Sequence, residues 1–267
     1  MYLCIDIGGT KTIIALVDRK GKLLHSVKFP TNVNQDKFYS AVLQQIRINF
    51  VLSGIKAIAV AMPGIVKNNR ATWLGNLPWH DFNIAKLLKS EFHLPVYVEN
   101  DANLAALAEA ATLSGRSLYF TFSTGIGGGV VQDGALVKRY LDFEPGHIQF
   151  TYQKQTEEWE DFAAASAIKA KYNQLTSDIS DPAIWDDVVR RMLLGLVPLT
   201  ASIKPDRIIF GGPLGLQLNK YRTKLRQQLR TKLPANIALP RLVVAKYGNL
   251  SVIHGCYLYA KLQESHR

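Results

Sequence analysis

Cysteine is nearly missing from this 267-residue chain: Cys4 and Cys256 stand alone, near opposite ends and inside apolar segments. Two such thiols make neither a disulfide framework nor a zinc-finger spacing. They read as buried free thiols and point to a reducing, cytoplasmic setting. No apolar run approaches the roughly 18 residues that suggest a membrane span. The opening Met1-Tyr2-Leu3-Cys4-Ile5-Asp6 has no basic stretch ahead of an apolar one, so no secretory leader is expected. Low-complexity tracts are absent too. Acidic residues run short toward the C-terminus, where from Ala201 onward twelve Lys and Arg face only Asp206 and Glu264.

What is there looks like an ordinary globular chain, with 48% apolar and 20% charged residues. The length allows one large domain or two modest ones. The net charge of +11 fits nucleic acid, an acidic surface or an anionic substrate. Much of it lies on Leu216 to Leu233, where Leu218, Tyr221, Leu225, Leu229 and Leu233 recur at helical spacing. The basic residues between them, from Lys220 to Lys232, form either a solvated helix face or an anion-binding one. No nucleic-acid motif accompanies them, and none is expected to bind.

An internal echo organises the chain. Residues 2–25 read as strand, glycine turn at Gly8-Gly9, strand, turn and strand. Residues 117–138 repeat that plan, with a turn over Ser123-Thr124-Gly125-Ile126-Gly127-Gly128-Gly129. After each copy helices and strands alternate: helices over 35–52, 83–92 and 102–113 with strands over 55–61 and 96–98 in the first half. Helices over 157–172 and 183–202, strands over 207–210 and 241–244, the basic helix and a last helix from about Leu250 follow in the second. Thr176 to Pro182 reads as a flexible loop. The pattern predicts a duplicated α/β protein with helices outside its sheets. The halves are 1–114 and 115–267, with the final helix, about 250–264, packing back on the first.

Three stretches could carry chemistry. In Asp6-Ile7-Gly8-Gly9-Thr10-Lys11-Thr12 an acidic residue ends a strand and glycines follow. Their exposed N–H groups can hold phosphate oxygens, and Asp6 can hold magnesium through water; a hairpin turn without a ligand explains the glycines equally well. The second glycine turn makes a pair of jaws on a phosphate chain the sharper reading. Asn100-Asp101, where a strand gives way to an alanine-rich helix, is either a helix cap or a base at the carboxyl end of a strand, placed to take a hydroxyl proton.

Taken in order, these turns with Ala61-Met62-Pro63-Gly64-Ile65-Val66, Asn76-Leu77-Pro78-Trp79, Glu99-Asn100-Asp101-Ala102-Asn103 and Glu144-Pro145-Gly146-His147 resemble the ROK family. That family of sugar kinases and repressors belongs to the hexokinase–actin superfamily. Ile208-Ile209-Phe210-Gly211-Gly212 is similar to its adenosine-binding turn, and the helix Ile253 to Leu262 to its closing helix. The resemblance implies two actin-like (ribonuclease H-like) lobes with a cleft, and transfer of the terminal phosphoryl of ATP, with magnesium, to a hexose hydroxyl. Glucose, fructose or an N-acylated hexosamine would be the acceptor. Asp101 would be the general base, with Gly64, Asn76, Asn100, Glu144, His147 and Glu160 around the sugar. Gly8, Gly9, Thr10, Lys11, Thr124 and Gly125 would hold phosphates, with Gly211 and Gly212 at the adenosine. For Glu160, a solvated charge beside Glu157 and Glu158 is the competing reading.

One departure stands out. Most relatives follow the Gly-His element with a cysteine cluster that binds structural zinc; Ile148 to Trp159 has no cysteine, so no zinc is expected. Hydrogen bonds alone must then orient His147. The polyphosphate-using glucokinases of the family also lack those cysteines, which keeps polyphosphate open as donor. A homodimer is the family's common state. A non-catalytic sugar sensor is the rival reading, weakened because the family's repressors carry a DNA-binding domain ahead of the first strand. An actin-like structural protein is a weaker one.

Overall fold

The computed structural model of this chain describes residues 1–75 and 77–265. Two compact units emerge, Met1–Ala108 joined by the chain from Leu250 onward, and Glu109–Asn249. The first division comes ahead of the expected boundary at residue 114.

The first unit starts with β1 (Tyr2–Ile7), β2 (Lys11–Val17) and β3 (Leu23–Pro30), then α1 (Gln35–Asn49) and β4 (Ala57–Met62). A hairpin of β5 (Ile65–Lys67) and β6 (Arg70–Trp73) comes next, then α2 (Ile84–Phe92), β7 (Val96–Asn100) and α3 (Asp101–Ala110). The sheet order is β3-β2-β1-β4-β7. The first three strands are antiparallel, and β4 and β7 join in parallel. Every residue of β4 is buried, as an unbroken apolar strand covered on both faces should be. At one edge β3 exposes His25 and Lys28 in a mixed pattern, which discourages pairing with another chain. Asn34 caps α1 and Asn83 caps α2, each accepting the N–H three residues on.

The second unit contains β8 (Arg116–Phe122), β9 (Ile126–Gln132) and β10 (Ala135–Leu136), then a hairpin of β11 (Gln149–Tyr152) and β12 (Gln155–Glu158). Helices α4 (Trp159–Ala163), α5 (Ala165–Tyr172) and α6 (Pro182–Ile203) precede β13 (Arg207–Gly211), α7 (Gly212–Gly215), α8 (Leu218–Lys232) and β14 (Arg241–Val244). Its sheet runs β10-β9-β8-β13-β14 with the same alternation of antiparallel and parallel pairs as the first. The echo in the sequence is thus a duplicated sheet plan. The last helix, α9 (Ser251–Ser265), belongs to the first unit and packs on β1 and β4. Gly255 lets it approach the Leu104 backbone of α3, where a Cβ would collide.

Three expectations need correction. The second glycine turn is shorter than read: β9 begins at Ile126, so Gly127, Gly128 and Gly129 are strand residues. The helix expected over 157–172 is a strand end and two helices. Glu157 and Glu158 pair with Phe150 and Gln149. Ala164 is extended because Ser166 N–H bonds the carbonyl of Ser123 instead of continuing the helix from α4. The segment 176–182 is tied down rather than loose. Ile179 and Thr176 are buried, and Lys220 donates to the carbonyls of Ser177 and Ile179.

Candidate active site

In the first unit β1 delivers Asp6 to the sheet's carboxyl end, and the neighbouring β4 and β7 deliver Met62 and Asn100. The Gly8-Gly9 turn is braced from β3's end. Thr31 donates its hydroxyl to the Gly8 carbonyl at 2.7 Å and pairs with the buried Thr12 hydroxyl at 2.8 Å. Gly9, Thr10 and Lys11 are exposed, and nothing lies within 4 Å of where a Gly9 Cβ would sit. The turn leaves open room there.

Asp101 opens α3, yet the cap is not its work. Asn100 Oδ1 accepts the N–H of Asn103 at 2.9 Å, and its Nδ2 donates to the Gly64 carbonyl at 2.8 Å. Gly64 has φ of 84°, and its missing side chain admits the Trp73 carbonyl, so only glycine fits there. Buried Glu99 accepts from Asn100 N–H at 2.9 Å and Asn103 Nδ2 at 3.1 Å. Asp101 itself accepts the adjacent Ala102 N–H, at 2.7 Å, and its own backbone N–H, both within one residue. Burial pushes its carboxyl up to about 6, against the pull of backbone hydrogen bonds. Asp6 goes up to about 7, by burial first and then by the charge of Asp101, with Lys11 opposing. Two carboxyls near each other and shielded from water are placed to exchange protons or to share a cation. Asn76, expected at the sugar, lies outside the described residues.

In the second unit the turn between β8 and β9 is Ser123-Thr124-Gly125. Ser166 at the start of α5 donates its hydroxyl to the Thr124 carbonyl at 2.5 Å. Glu160, from α4, is no solvated charge. Its Oε2 accepts Ile126 N–H at 3.0 Å and occupies the space that side chains at Gly125 and Gly146 would fill. His147 ends a single 3₁₀ turn, Pro145–His147, and its Nδ1 lies 2.7 Å from Glu158 Oε2. Burial pushes the imidazole down, but the Glu158 bond and the charges of Glu160, Glu158 and Glu144 outweigh it and hold it above its ordinary value. Gly212, with φ of 71°, turns the chain from β13 into α7, and Gly211 leaves room for the Tyr119 hydroxyl. A trough of about 530 Å³ extends from Ser123 and Thr124 past Ser166 and Lys169 to Pro213, Leu216 and Gln217. Ser166, Lys169, Thr31 and Glu158 were not legible as site residues, since no motif surrounds them; only folding brings them to the turns.

Two sheets of one plan, each with a turn between its first two strands, define a duplicated actin-like α/β protein. The chain belongs to the ROK family, whose model matches residues 2–263. It is 29% identical over 242 residues to a fructokinase of Zymomonas mobilis, covering 79% of each chain. Among solved structures it is similar to the inorganic polyphosphate/ATP-glucomannokinase of Arthrobacter sp. strain KM, at 27% identity and a TM-score of 0.75 over 98% of each chain. It shares its fold with a ROK glucokinase of Streptomyces griseus in complex with glucose and AMPPNP, with a TM-score of 0.79, 22% identity, and 98% of this chain and 99% of that one covered.

Proposed function

We propose that this chain transfers the terminal phosphoryl group of ATP to a hydroxyl of a hexose. The observation that carries the reading is Asp101. It is a carboxyl raised toward neutrality by burial, where β7 gives way to α3, and Asn100 performs the helix capping that could otherwise explain it. Asp101 accepts the hydroxyl proton as the sugar oxygen attacks the terminal phosphorus and ADP departs. In this reading the sugar-binding groups are Gly64 and Asn100 of the first unit and Glu144, His147 and Glu160 of the second, with Asn76 assigned from the family resemblance alone. The Gly8 N–H, expected at a phosphate, is instead spent on the Lys11 carbonyl at 3.0 Å; the amides of Gly9, Thr10 and Thr124-Gly125, with Lys11, receive phosphate oxygens, and Gly211 and Gly212 shape the place of the adenosine.

Asp6 is the group to hold magnesium, through water. A shielded carboxyl raised to about 7 beside a second one gains from a cation. When bound, magnesium supplies charge neutralisation at the phosphates. The trough favours ATP over polyphosphate as donor. Lys169 is the one charged residue lining it among the described residues, whereas a polyanion calls for a track of cations. Half of the cations of α8 are engaged within the unit: Lys220 on two carbonyls, Lys224 on Asp186 and Arg230 on the Ile237 carbonyl.

A coupled ADP-release assay over a panel of hexoses, run beside polyphosphate, tests this. At least one hexose should yield sugar phosphate and ADP in equal amounts, with polyphosphate far slower. Sugar binding by calorimetry without turnover from either donor would establish the sensor reading instead.

A further inference from the structure

The β11–β12 hairpin does more than cover the core. Its register sets Glu158 opposite Gln149 and sends Trp159 N–H to the Ile148 carbonyl at 2.9 Å. Glu158 therefore lies beside the residue that precedes Ile148, His147. Packing anchors this arrangement. Tyr152 stacks on Phe162 with centroids 4.4 Å apart, the Arg191 guanidinium covers Tyr152, and Phe150 edges onto fully buried Trp159. A register slip of one residue would turn Glu158 to the other face.

We propose that Glu158 is a positioning residue, which keeps the proton of His147 on Nδ1 and so aims Nε2 at a ring hydroxyl of the sugar. The proposal rests on the sugar-kinase reading above. An ionised carboxylate only accepts, so the 2.7 Å contact makes Nδ1 the donor, and in the neutral ring Nε2 becomes an acceptor. Glu160 does not compete for this task, because its Oε2 serves Ile126 N–H. About a third of each partner's side chain is exposed (32% and 37%), so the pair adds little to folding and its loss should register in the ligand's geometry. Against burial, the carboxylate neighbours Glu158, Glu160 and Glu144 raise the His147 imidazole; in the doubly protonated ring Nδ1 still donates to Glu158, and Nε2 meets the same hydroxyl as a donor.

An opposite outcome is built into the same atoms. His147, Glu158 and Glu160 offer ligand atoms all within 4.8 Å of one another, close enough to hold a cation. A metal on Nδ1 and a proton on Nδ1 exclude each other, so one experiment separates them. Nitrogen-15 NMR of the full-length protein, with His147 assigned by difference from His147→Gln, should report the Nδ1–H tautomer. In kinetics with a hexose that is turned over, Glu158→Ala should raise the sugar KM about tenfold with kcat nearly unchanged and only a small fall in Tm from the lost N-terminal cap of α4. Glu158→Gln, whose amide oxygen still accepts from Nδ1, should recover most of that loss. An active wild type with an unaffected Glu158→Ala overturns this proposal alone. So does stoichiometric zinc whose removal by EDTA weakens nucleotide-free sugar binding. A wild type inert toward every hexose overturns the sugar-kinase reading and this proposal with it.

Discussion

In the first unit the turn between β1 and β2 carries Gly9 with empty space where its side chain would be. At the equivalent step of the second unit, Gly125 has the Glu160 carboxylate 2.5 Å from its missing Cβ. Gly128, a little further along β9, faces Phe143 and Pro145 in the same way. One sheet plan thus uses glycine for two purposes. In the first unit it leaves room for something from outside; in the second it admits the protein's own groups. The carboxylates differ in parallel. Asp101 keeps its charge exposed to few donors and its carboxyl raised, which suits a base. Glu160 is held by a backbone amide, which suits a binding group.

The strongest way to break the comparison is to neutralise each carboxylate. Asp101→Asn should lower kcat by about 10²–10⁴-fold with the fold intact by circular dichroism, while Glu160→Gln should act mainly on sugar KM. Near-normal turnover of Asp101→Asn would end its assignment as base. The pH profile follows the same logic. A base works ionised, so kcat/KM should fall as pH drops through the region of 6 to 7 set by Asp101 and Asp6, which titrate as a pair. A profile flat down to pH 5 would contradict it.

The next effect is on stability and belongs to the second unit alone. Asp187 accepts from Arg191 Nε at 2.6 Å, Tyr172 at 2.7 Å and Lys171 at 2.9 Å, while buried Arg191 also donates to the Phe162 carbonyl. Burial pushes the Asp187 carboxyl up, but those bonds win and hold it well below the usual range. Its contribution is therefore full above about pH 4 and fades as acid protonates it. Asp187→Ala should cost about 3 kcal/mol, because it strands a buried guanidinium; urea unfolding reads this directly.

Smaller again is the glycine pair itself. Gly9→Ala should leave Tm unchanged and raise the KM for ATP several-fold, whereas Gly125→Ala should lower Tm and raise the sugar KM by displacing Glu160. Equal Tm values for the two would show that the distinction is false. Smallest is the hairpin turn, where Gln153 and Lys154 both take positive φ, 49° and 69°. Lys154→Gly should stabilise by roughly 0.5–1 kcal/mol without touching activity, which would leave the Glu158 register in place.

Much of the fold was legible because it is local. Apolar alternation, the glycine turns and the buried run of β4 each act within a few residues, and together with the ordered motifs they specified the duplicated α/β plan and the family. The misreadings arose where a distant partner outweighed local preference. Glu157 and Glu158 look helical beside α4, yet Phe150 and Gln149 draw them into a strand. Asn100 and Asp101 are interchangeable as caps in sequence, and the Gly64 carbonyl and Asn103 amide decided between them. Glu160's place between two glycines and Glu158's hold on His147 join residues separated by a turn or more of chain. The chain's own order determined which strands, turns and candidate groups exist. Which carboxyl is raised toward neutrality, which accepts a backbone amide and which braces a guanidinium was settled only by packing, since burial and hydrogen-bond partners set a carboxyl's proton affinity and both come from residues far apart in sequence.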